Sequence, residues 1–573
     1  MRLNIVKSKN AEQLYIIKSF RKEDGKTSSR IVKKLGTMAS LLPKHDNNRE
    51  KVIAWGKEQA ELLTAQEATE TLSIEISLSE NKQNKKGEKK LFQCGYLFPQ
   101  YIYHKLGLHE ICKEISNKHN INYDLSDILA KLIYTRILSP NSKLSSFESS
   151  KDFVQPPNFE LHQIYRALSL LSGYSDEIQA KLYKNSLNVL DRNKGILYYD
   201  CTNYFFEIEK EKGSRKYGKC KEHRPNPIVQ MGLFMDGNGL PLAFSIFPGN
   251  ESEQPSLKPL EKKIIQDFGL SKFVVCTDAG LASTDNRIFN NIQNRSFIVT
   301  QSLKSIKSHI KEWALSPIGW KIDGSENEYN LNEINENDYM DTIFHKERWI
   351  NENGLEQRLI VSFSPKYKYY QRDIRLSQIE RAEKNILKGK SSQTRNTNSP
   401  NRFIQETAIT EDGEIANKKF CALDDEKIKN EEMFDGFYAV CTTLEDKISD
   451  ILHINKQRWQ IEAAFRTMKT EFKARPVYLQ RDERIESHFL TCFIALLILK
   501  IIENKLNNKY STEDIIHTLR KMSLYKLRGL GYMSSYERTD LTDDLHKVFG
   551  FQTDNEFISV KTMKNIFKIT TKS

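Results

Sequence analysis

Between Gly195 and Thr300 the hydrophobic period changes in an order that few folds can accommodate. Ile196-Leu-Tyr-Tyr-Asp-Cys-Thr-Asn-Tyr-Phe-Phe-Glu, Ile228-Val-Gln-Met-Gly-Leu-Phe-Met and Leu240-Pro-Leu-Ala-Phe-Ser-Ile-Phe are three strand-like runs, parted by turn-forming segments such as Asp236-Gly-Asn-Gly. Three such runs in succession predict an antiparallel meander. A helical pattern over Gln254–Phe268, the strand Phe273–Asp278, a helix over Thr284–Ile292 and the strand Ser296–Thr300 follow. The chain thus moves from meander to helix–strand alternation, which places it in the α/β class.

The rest of the chain is organised around this segment. At 573 residues it exceeds the size at which a single core stops growing, so several structural units are expected. Residues 1–90 read as a small β-hairpin and helix module, with strands at Leu14–Phe20 and Arg30–Leu35, a charged turn at Lys22–Lys26, a helix over Arg49–Thr71 and a Lys-rich linker over Asn81–Lys90. Residues 91–193 read as helical, with segments at Pro99–Leu106, Leu125–Ile137, Ser142–Ser150, Glu160–Ser172 and Asp176–Asp191 and with Lys and Arg on exposed faces. This is a candidate DNA-binding domain, and a packing or dimerisation role is equally open. The order meander, helix, strand, helix, strand over 194–302 is that of the first part of a ribonuclease-H-like core. Over 303–440 the order breaks into short strand-like runs, a polar helix near Tyr370–Lys388 and a polar loop at Lys390–Asn401, which reads as an inserted domain. Residues 441–505 resume the core and 506–573 form a mainly helical C-terminal region with a basic patch at Arg520–Arg528.

Composition narrows the class further. The 87 Lys and Arg against 75 Asp and Glu give a formal charge of +12, which favours a polyanionic partner. Eight scattered cysteines include no C-x-x-C pair, and so predict reduced thiols in a cytoplasmic protein rather than a zinc or redox site. The N-terminus lacks a secretory pattern, and the longest apolar run, Phe489–Leu499, is read as a buried helix too short to span a bilayer.

Chemistry is concentrated in three carboxylates. Asp200 lies inside an aromatic and β-branched strand, where a carboxylate needs compensation for its lost hydration. Asp278 ends an apolar strand just before Ala279-Gly280, at the carboxyl edge where sites gather in α/β sheets. Glu462 belongs to Arg458-Trp-Gln-Ile-Glu-Ala-Ala-Phe-Arg-Thr-Met-Lys469. On a helix, Arg458, Glu462, Arg466 and Lys469 fall at roughly 0°, 40°, 80° and 20°, beside an apolar arc of Ile461, Phe465, Met468 and Phe472. A bland reading makes this an amphipathic helix with surface ion pairs, Asp200 a hydrogen-bonded strand residue and Asp278 a turn former.

In these contexts the three acids resemble the Asp-Asp-Glu triad of DDE transposases of bacterial insertion sequences. Arg458, Glu462 and Lys469 reproduce the spacing of the YREK signature of the insertion-sequence-four superfamily, with Asn455 at the position of its Tyr. Tyr199-Asp-Cys-Thr-Asn, Phe247-Pro-Gly-Asn-x-Ser-Glu253 and Thr277-Asp-Ala-Gly-Leu resemble further family segments. The distance from Asp278 to Glu462, 462 − 278 = 184 residues, is too long for core alone and agrees with the largely β insertion domain of that superfamily.

The resemblance implies a ribonuclease-H-like catalytic core with helical flanks and two-metal phosphoryl transfer, with Asp200, Asp278 and Glu462 both catalytic and holding Mg²⁺, for which Mn²⁺ substitutes. It implies double-stranded DNA as partner, both terminal inverted repeats and target, a homodimer in the synaptic complex, and a bacterial cytoplasmic, nucleoid-associated location without membrane. Arg458 and Lys469 would contact flanking phosphates. Trp459 is open to base stacking or to packing, and Arg466, His223 and Arg224 are further DNA-binding candidates. Asp285 and Glu207 are read as spare carboxylates. A ribonuclease-H-like nuclease or resolvase and a non-catalytic, domesticated DNA-binding protein are the alternatives.

Overall fold

The computed structural model describes residues 1–8, 11–21, 27–69, 81, 83, 85–388, 399–409 and 415–572. The predicted turn at Lys22–Lys26 and most of the polar loop from Lys390 therefore lie outside the described residues. Two units are distinguished, Met1–Glu88 and Lys89–Ser573.

In the first unit, strands Arg2–Lys7, Glu12–Arg21 and Thr27–Thr37 form an antiparallel sheet in sequence order. Thr37 caps the short helix Met38–Leu41 with a reciprocal pair of bonds to Ser40, and the 21-residue helix Arg49–Thr69 follows. A small core of Leu14, Met38, Leu41 and Val52 joins sheet and helices.

The second unit is built on a nine-stranded mixed sheet. Its first five strands are Ile196–Phe205, Ile228–Asp236, Pro241–Pro248, Phe273–Thr277 and Arg295–Thr300, each where the period-2 runs predict it. Numbered by sequence, they lie in the order 3-2-1-4-5, with the first, fourth and fifth parallel and the second antiparallel to the first. The sheet does not stop there. Phe437–Thr442, Leu355–Phe363, Phe344–Glu352 and Lys321–Ile322 extend it in antiparallel fashion beyond the fifth strand. Much of the segment read as an insertion thus continues the sheet. The excursion from it lies between Phe363 and Phe437, where helix Pro365–Leu387, the hairpin Ile404–Ile409 with Ile415–Leu423 and helix Asp425–Glu432 surround a separate core of Ala382, Phe403 and Ile404.

Alternation along the strands gives the sheet two apolar faces. Leu197, Tyr199, Cys201, Phe234 and Val275 pack with Leu257, Leu260 and Ile264 of helix Leu257–Phe268. On the opposite face, Tyr198, Tyr204, Met231, Cys276, Ile298 and Val440 share a core with Ile461, Phe465 and Met468 of helix Trp459–Thr470 and with helix Asp482–Lys505. That last helix, 24 residues long, is long and apolar enough to cross a membrane, so the apolar run is longer than its sequence limits suggested. In this fold 89% of its apolar window is buried inside the protein.

The same core continues into helices Leu97–Lys105, Leu108–His119, Leu125–Leu138 and Leu161–Ser172, so the helical segment packs as part of the second unit. Two differences from expectation stand out. Leu108–His119 was not predicted, although Leu108, Ile111, Cys112 and Ile115 form its buried stripe. The basic side chains of this region are not all exposed, because Lys131, Arg136 and Lys143 are buried. At the C-terminus, the stretch expected to be mainly helical includes strands Ser523–Leu527, Gly531–Ser534 and Ile558–Ser559, which form a four-stranded sheet with Leu91–Gln93. Ser523–Leu527 pairs on one side with the adjacent Gly531–Ser534 and on the other with Leu91–Gln93, more than four hundred residues away, a pairing that no local pattern encodes.

Candidate active site

The sheet register brings the two aspartates together. Tyr198 is paired with Cys276, and Cys276 with Ile298, across three parallel strands. Two residues further on, on the same face, stand Asp200, Asp278 just past the end of its strand, and Thr300. This is the face covered by helix Trp459–Thr470, with Tyr204 Oη 3.7 Å from Met468 Sδ. Asp278 is held by capping the turn Ala279–Leu281, its Oδ1 accepting from Leu281 N at 3.1 Å. The turn-forming role and the site role are thus one geometry. Asp200 Oδ1 accepts from Cys201 N at 2.7 Å.

Electrostatics mark Asp200 as the unusual acid. Burial pushes its carboxyl up to about 6, the Lys221 ammonium opposes this, the neighbouring Asp278 carboxylate adds to it, and Arg458 opposes it. Lys221 donates to Cys201 O and pairs with Glu253 at 3.1 Å.

Arg458 enters the site through neutral groups. Its Nη1 donates to Thr300 Oγ1 at 3.0 Å, and Thr300 Oγ1 also lies 2.7 Å from Tyr438 Oη. Tyr438 Oη in turn accepts from Asn455 Nδ2 at 2.8 Å, and Asn455 Oδ1 faces Cys276 Sγ at 3.7 Å. Asn455, at the signature's tyrosine position, is buried and holds a phenol supplied by a neighbouring strand.

The remaining predicted residues divide. Lys469 pairs with Glu222 at 3.7 Å and lies over the Tyr204 ring, 5.6 Å from its centroid. Burial lowers its ammonium from the ordinary value, with Glu222 working the other way. Glu222 also pairs with Arg475. Neither Arg458 nor Lys469 pairs with Glu462, so the bland ion-paired helix is not what forms. Arg224 is exposed, its guanidinium 4.3 Å from the Phe205 ring centroid, and His223 occupies a left-handed turn at φ 55°. Arg466 is exposed. Trp459 is 58% exposed, which removes the core-packing alternative. Asp285 and Glu207 are exposed and belong to none of these contacts.

Glu462 is exposed in the first turn of its helix, and its carboxylate has no hydrogen-bond or ion-pair partner among the described residues. It lines a groove of about 510 Å³ with Trp459, Arg458, Asn455, Tyr438 and Ser362. Among the described residues, no group of three His, Cys, Asp or Glu side chains stands close enough to hold a metal ion. The structure therefore joins Asp200 to Asp278 and leaves Glu462 on the rim.

Sequence reasoning did not single out Thr300, Tyr438, Glu222, Arg475 or, individually, Lys221. Glu253 had a signal, since it closes the segment Phe247-Pro-Gly-Asn-x-Ser-Glu253, and Lys221 lies two residues before His223 in a stretch that also holds Lys216 and Lys219. The others are brought in by pairings between distant strands and loops.

The comparisons with known proteins bear on this geometry. Residues 201–498, 298 of the 573, match the family described as the transposase DDE domain. A cryo-EM structure of a piggyBac transposase synaptic complex with hairpin DNA is similar at a TM-score of 0.36 and 9% identity, over 82% of each chain, a likeness too distant to argue from. Among curated proteins no significant match is found. Matched over more than half its length, and with two aspartates brought together by neighbouring parallel strands of its central sheet, the chain belongs to the DDE transposase domain family.

Proposed function

We propose that this chain is a transposase of the insertion-sequence-four, YREK-type superfamily, which binds the terminal inverted repeats of its element as a homodimer, cleaves there and joins the ends to target DNA in the bacterial cytoplasm. The observation that carries the reading is the pairing of Asp200 with Asp278 beneath a helix that opens with Arg458 and exposes Glu462. The 3-2-1-4-5 strand order supports a ribonuclease-H-like core.

Two carboxylates held side by side, one pushed towards neutrality by burial and by the other's charge, form a hard-oxygen site suited to Mg²⁺ or Mn²⁺. Asp200 and Asp278 would hold the ion, and Glu462 would join them when DNA and metal are bound. Bound there, the metal supplies Lewis-acid stabilisation of the oxygens entering and leaving phosphorus. The protein's own contribution is placement. Asp278 is fixed by its cap bond, Arg458 by Thr300, and Lys469 and Arg475 by their shared Glu222, so cations flank the acids at positions suited to phosphate oxygens. Exposed Trp459 offers a face on which a base at the DNA end could stack.

The test is Mg²⁺-dependent cleavage and strand transfer of DNA carrying the inverted repeats that flank the gene. Wild-type protein should act on them, and Asp200→Asn, Asp278→Asn and Glu462→Gln should not. The second reading, a DNA-binding protein without catalysis, is favoured by the position of Glu462 outside the aspartate pair. DNA binding without Mg²⁺-dependent cleavage by the wild type would establish it.

A further inference from the structure

Away from the aspartates, a cavity of about 430 Å³ opens between helix Leu125–Leu138, the start of helix Lys143–Ser150 and the segment leading into helix Asp482–Lys505. Its lining includes Arg136, Lys143, Lys473, Arg475 and His488, and no Asp or Glu. Arg136 and Lys143 are 2% and 6% exposed. The Lys143 ammonium is buried without a hydrogen-bond partner among the described residues, as are the Nε atoms of Arg136 and Arg475. The bonds Arg136 does make run to main-chain carbonyls, at 2.9 Å to Phe472 O and 3.4 Å to Asn141 O. His488 is likewise spent on a carbonyl, Ala474 O at 3.1 Å.

A buried cation costs several kcal/mol unless something of opposite charge meets it. Structural lysines and arginines in protein interiors are accordingly paired with carboxylates, as Arg192 is here with Asp236 at 2.6 Å and Arg295 with Glu261 at 2.9 Å. Where buried cations of this fold lack a carboxylate, as Arg215 and Lys346 do, they donate to main-chain carbonyls; the Lys143 ammonium in the cavity has neither among the described residues. An ammonium with three donors beside a guanidinium with a free Nε matches a tetrahedral oxyanion better than a flat or neutral ligand.

We propose that this cavity is a phosphate-binding site, with Arg136 and Lys143 as its floor, and that the phosphate it takes is a backbone phosphate of the DNA strand leading to the aspartate pair. The position supports the source. Arg475 lines the cavity and also pairs with Glu222, which pairs with Lys469, and Lys221 beside them faces Asp200. A continuous line of cations therefore runs from the cavity to the acids. Burial, with Arg136 adding to it, lowers the Lys143 ammonium to about 7, as expected of a charge whose partner arrives with the ligand. The DNA source rests on the proposed function, whereas the phosphate site does not.

The test uses the full chain and Lys143→Met, which keeps the length of the side chain and removes its charge, with Lys143→Gln as a second variant should the first fail to fold. Thermal unfolding is followed in chloride and in inorganic phosphate at equal ionic strength, and duplex-DNA affinity is followed by anisotropy from 50 to 200 mM salt. Phosphate should raise the wild-type midpoint and leave the variant's unmoved, and the variant's salt dependence for DNA should be shallower by about one in log–log slope. Equal phosphate shifts in wild type and variant, or none in either, would overturn the site. Loss of the phosphate shift with an unchanged DNA slope would overturn the DNA source and leave a free-phosphate site. A wild type that shifts with phosphate, through Lys143, yet cleaves no DNA would fault the proposed function and not the cavity.

Discussion

The aspartate pair and the cationic cavity solve opposite versions of one problem. Each takes charges out of water. At the first, Asp200 is pushed up to about 6 by burial and by Asp278, with Lys221 and Arg458 supplying partial compensation. At the second, Lys143 is pushed down to about 7 by burial and by Arg136, and no carboxylate lines the cavity. One site is short of positive charge and the other of negative charge, the two charges that the proposed metal-assisted chemistry on a phosphodiester would bring. An unbalanced buried charge, taken with its neighbours, thus indicates the sign of the ligand that would balance it.

The largest effect expected from breaking this contrast is on activity at the acid side. Asp278→Asn removes the like charge beside Asp200 and one oxygen of the proposed metal site together. Mg²⁺-dependent cleavage should fall on the order of 10²–10³-fold or more, as for loss of a group acting on transition-state charge. Duplex binding in EDTA should change little. Cleavage at wild-type rates would show that the pair is structural. Glu462→Gln then sharpens the picture, because a loss as deep as that of Asp278→Asn requires Glu462 to move into the pair, and a shallow one leaves it on the rim.

At the cationic side the corresponding change should stabilise the free protein. Replacing an unpaired buried charge with an apolar side chain of similar length relieves its desolvation, so Lys143→Met should gain about 1–4 kcal/mol in chloride. Urea unfolding at constant pH measures it. A loss of stability would mean that Lys143 has a partner in solution.

Opposite pH slopes follow from the same pair. The folded-state pKa of Lys143 is near 7 against an ordinary 10.5, so between those values the unfolded chain binds the extra proton and stability rises with pH. Arg136 and His488 face it from neighbouring elements, with Cys492 close by, and neither Arg136 nor Cys492 changes charge at the lower end of that window. Asp200 stands near 6 against 3.8, so between those values the folded chain binds the extra proton and its contribution to stability falls as pH rises. Unfolding midpoints across pH 4 to 10 should show each slope flattened only by its own variant, Asp200→Asn at the acid end and Lys143→Met at the alkaline end.

Much of the acid side was legible in the sequence, because its parts are local. Period-2 runs mark the strands carrying Asp200 and Asp278, and the period-3.6 stripe of Ile461, Phe465 and Met468 marks the helix carrying Glu462. The match of Asp200 to Asp278 needed only the register of two parallel strands. The cationic side was not legible. Arg136 and Lys143 sit in helices whose pattern gives no reason to bury a cation, and half of the cavity around them is built by residues 473–488, more than three hundred positions away. The extension of the sheet was hidden for a related reason. Strands Phe344–Glu352 and Leu355–Phe363 show in the sequence only as short strand-like runs, and their attachment to Arg295–Thr300 runs through Phe437–Thr442, across an excursion with a core of its own.

The smallest effect belongs to the neutral network that steadies the acid side and has no counterpart in the cavity. Tyr438 Oη joins Thr300 and Asn455, and Thr300 carries Arg458. Tyr438→Phe keeps the ring and removes that junction, so Asn455 Nδ2 loses its acceptor and Thr300 its second partner. The expected loss is about 0.5–1.5 kcal/mol of stability, the net worth of a hydrogen bond of this kind. If the network merely fills space, cleavage will follow stability and be unchanged at low temperature. If it positions Arg458, kcat should fall severalfold with KM for DNA nearly constant, and Thr300→Val should reproduce the fall without adding to it in the double variant. Additive losses would show that Arg458 is held by something other than this hydroxyl pair.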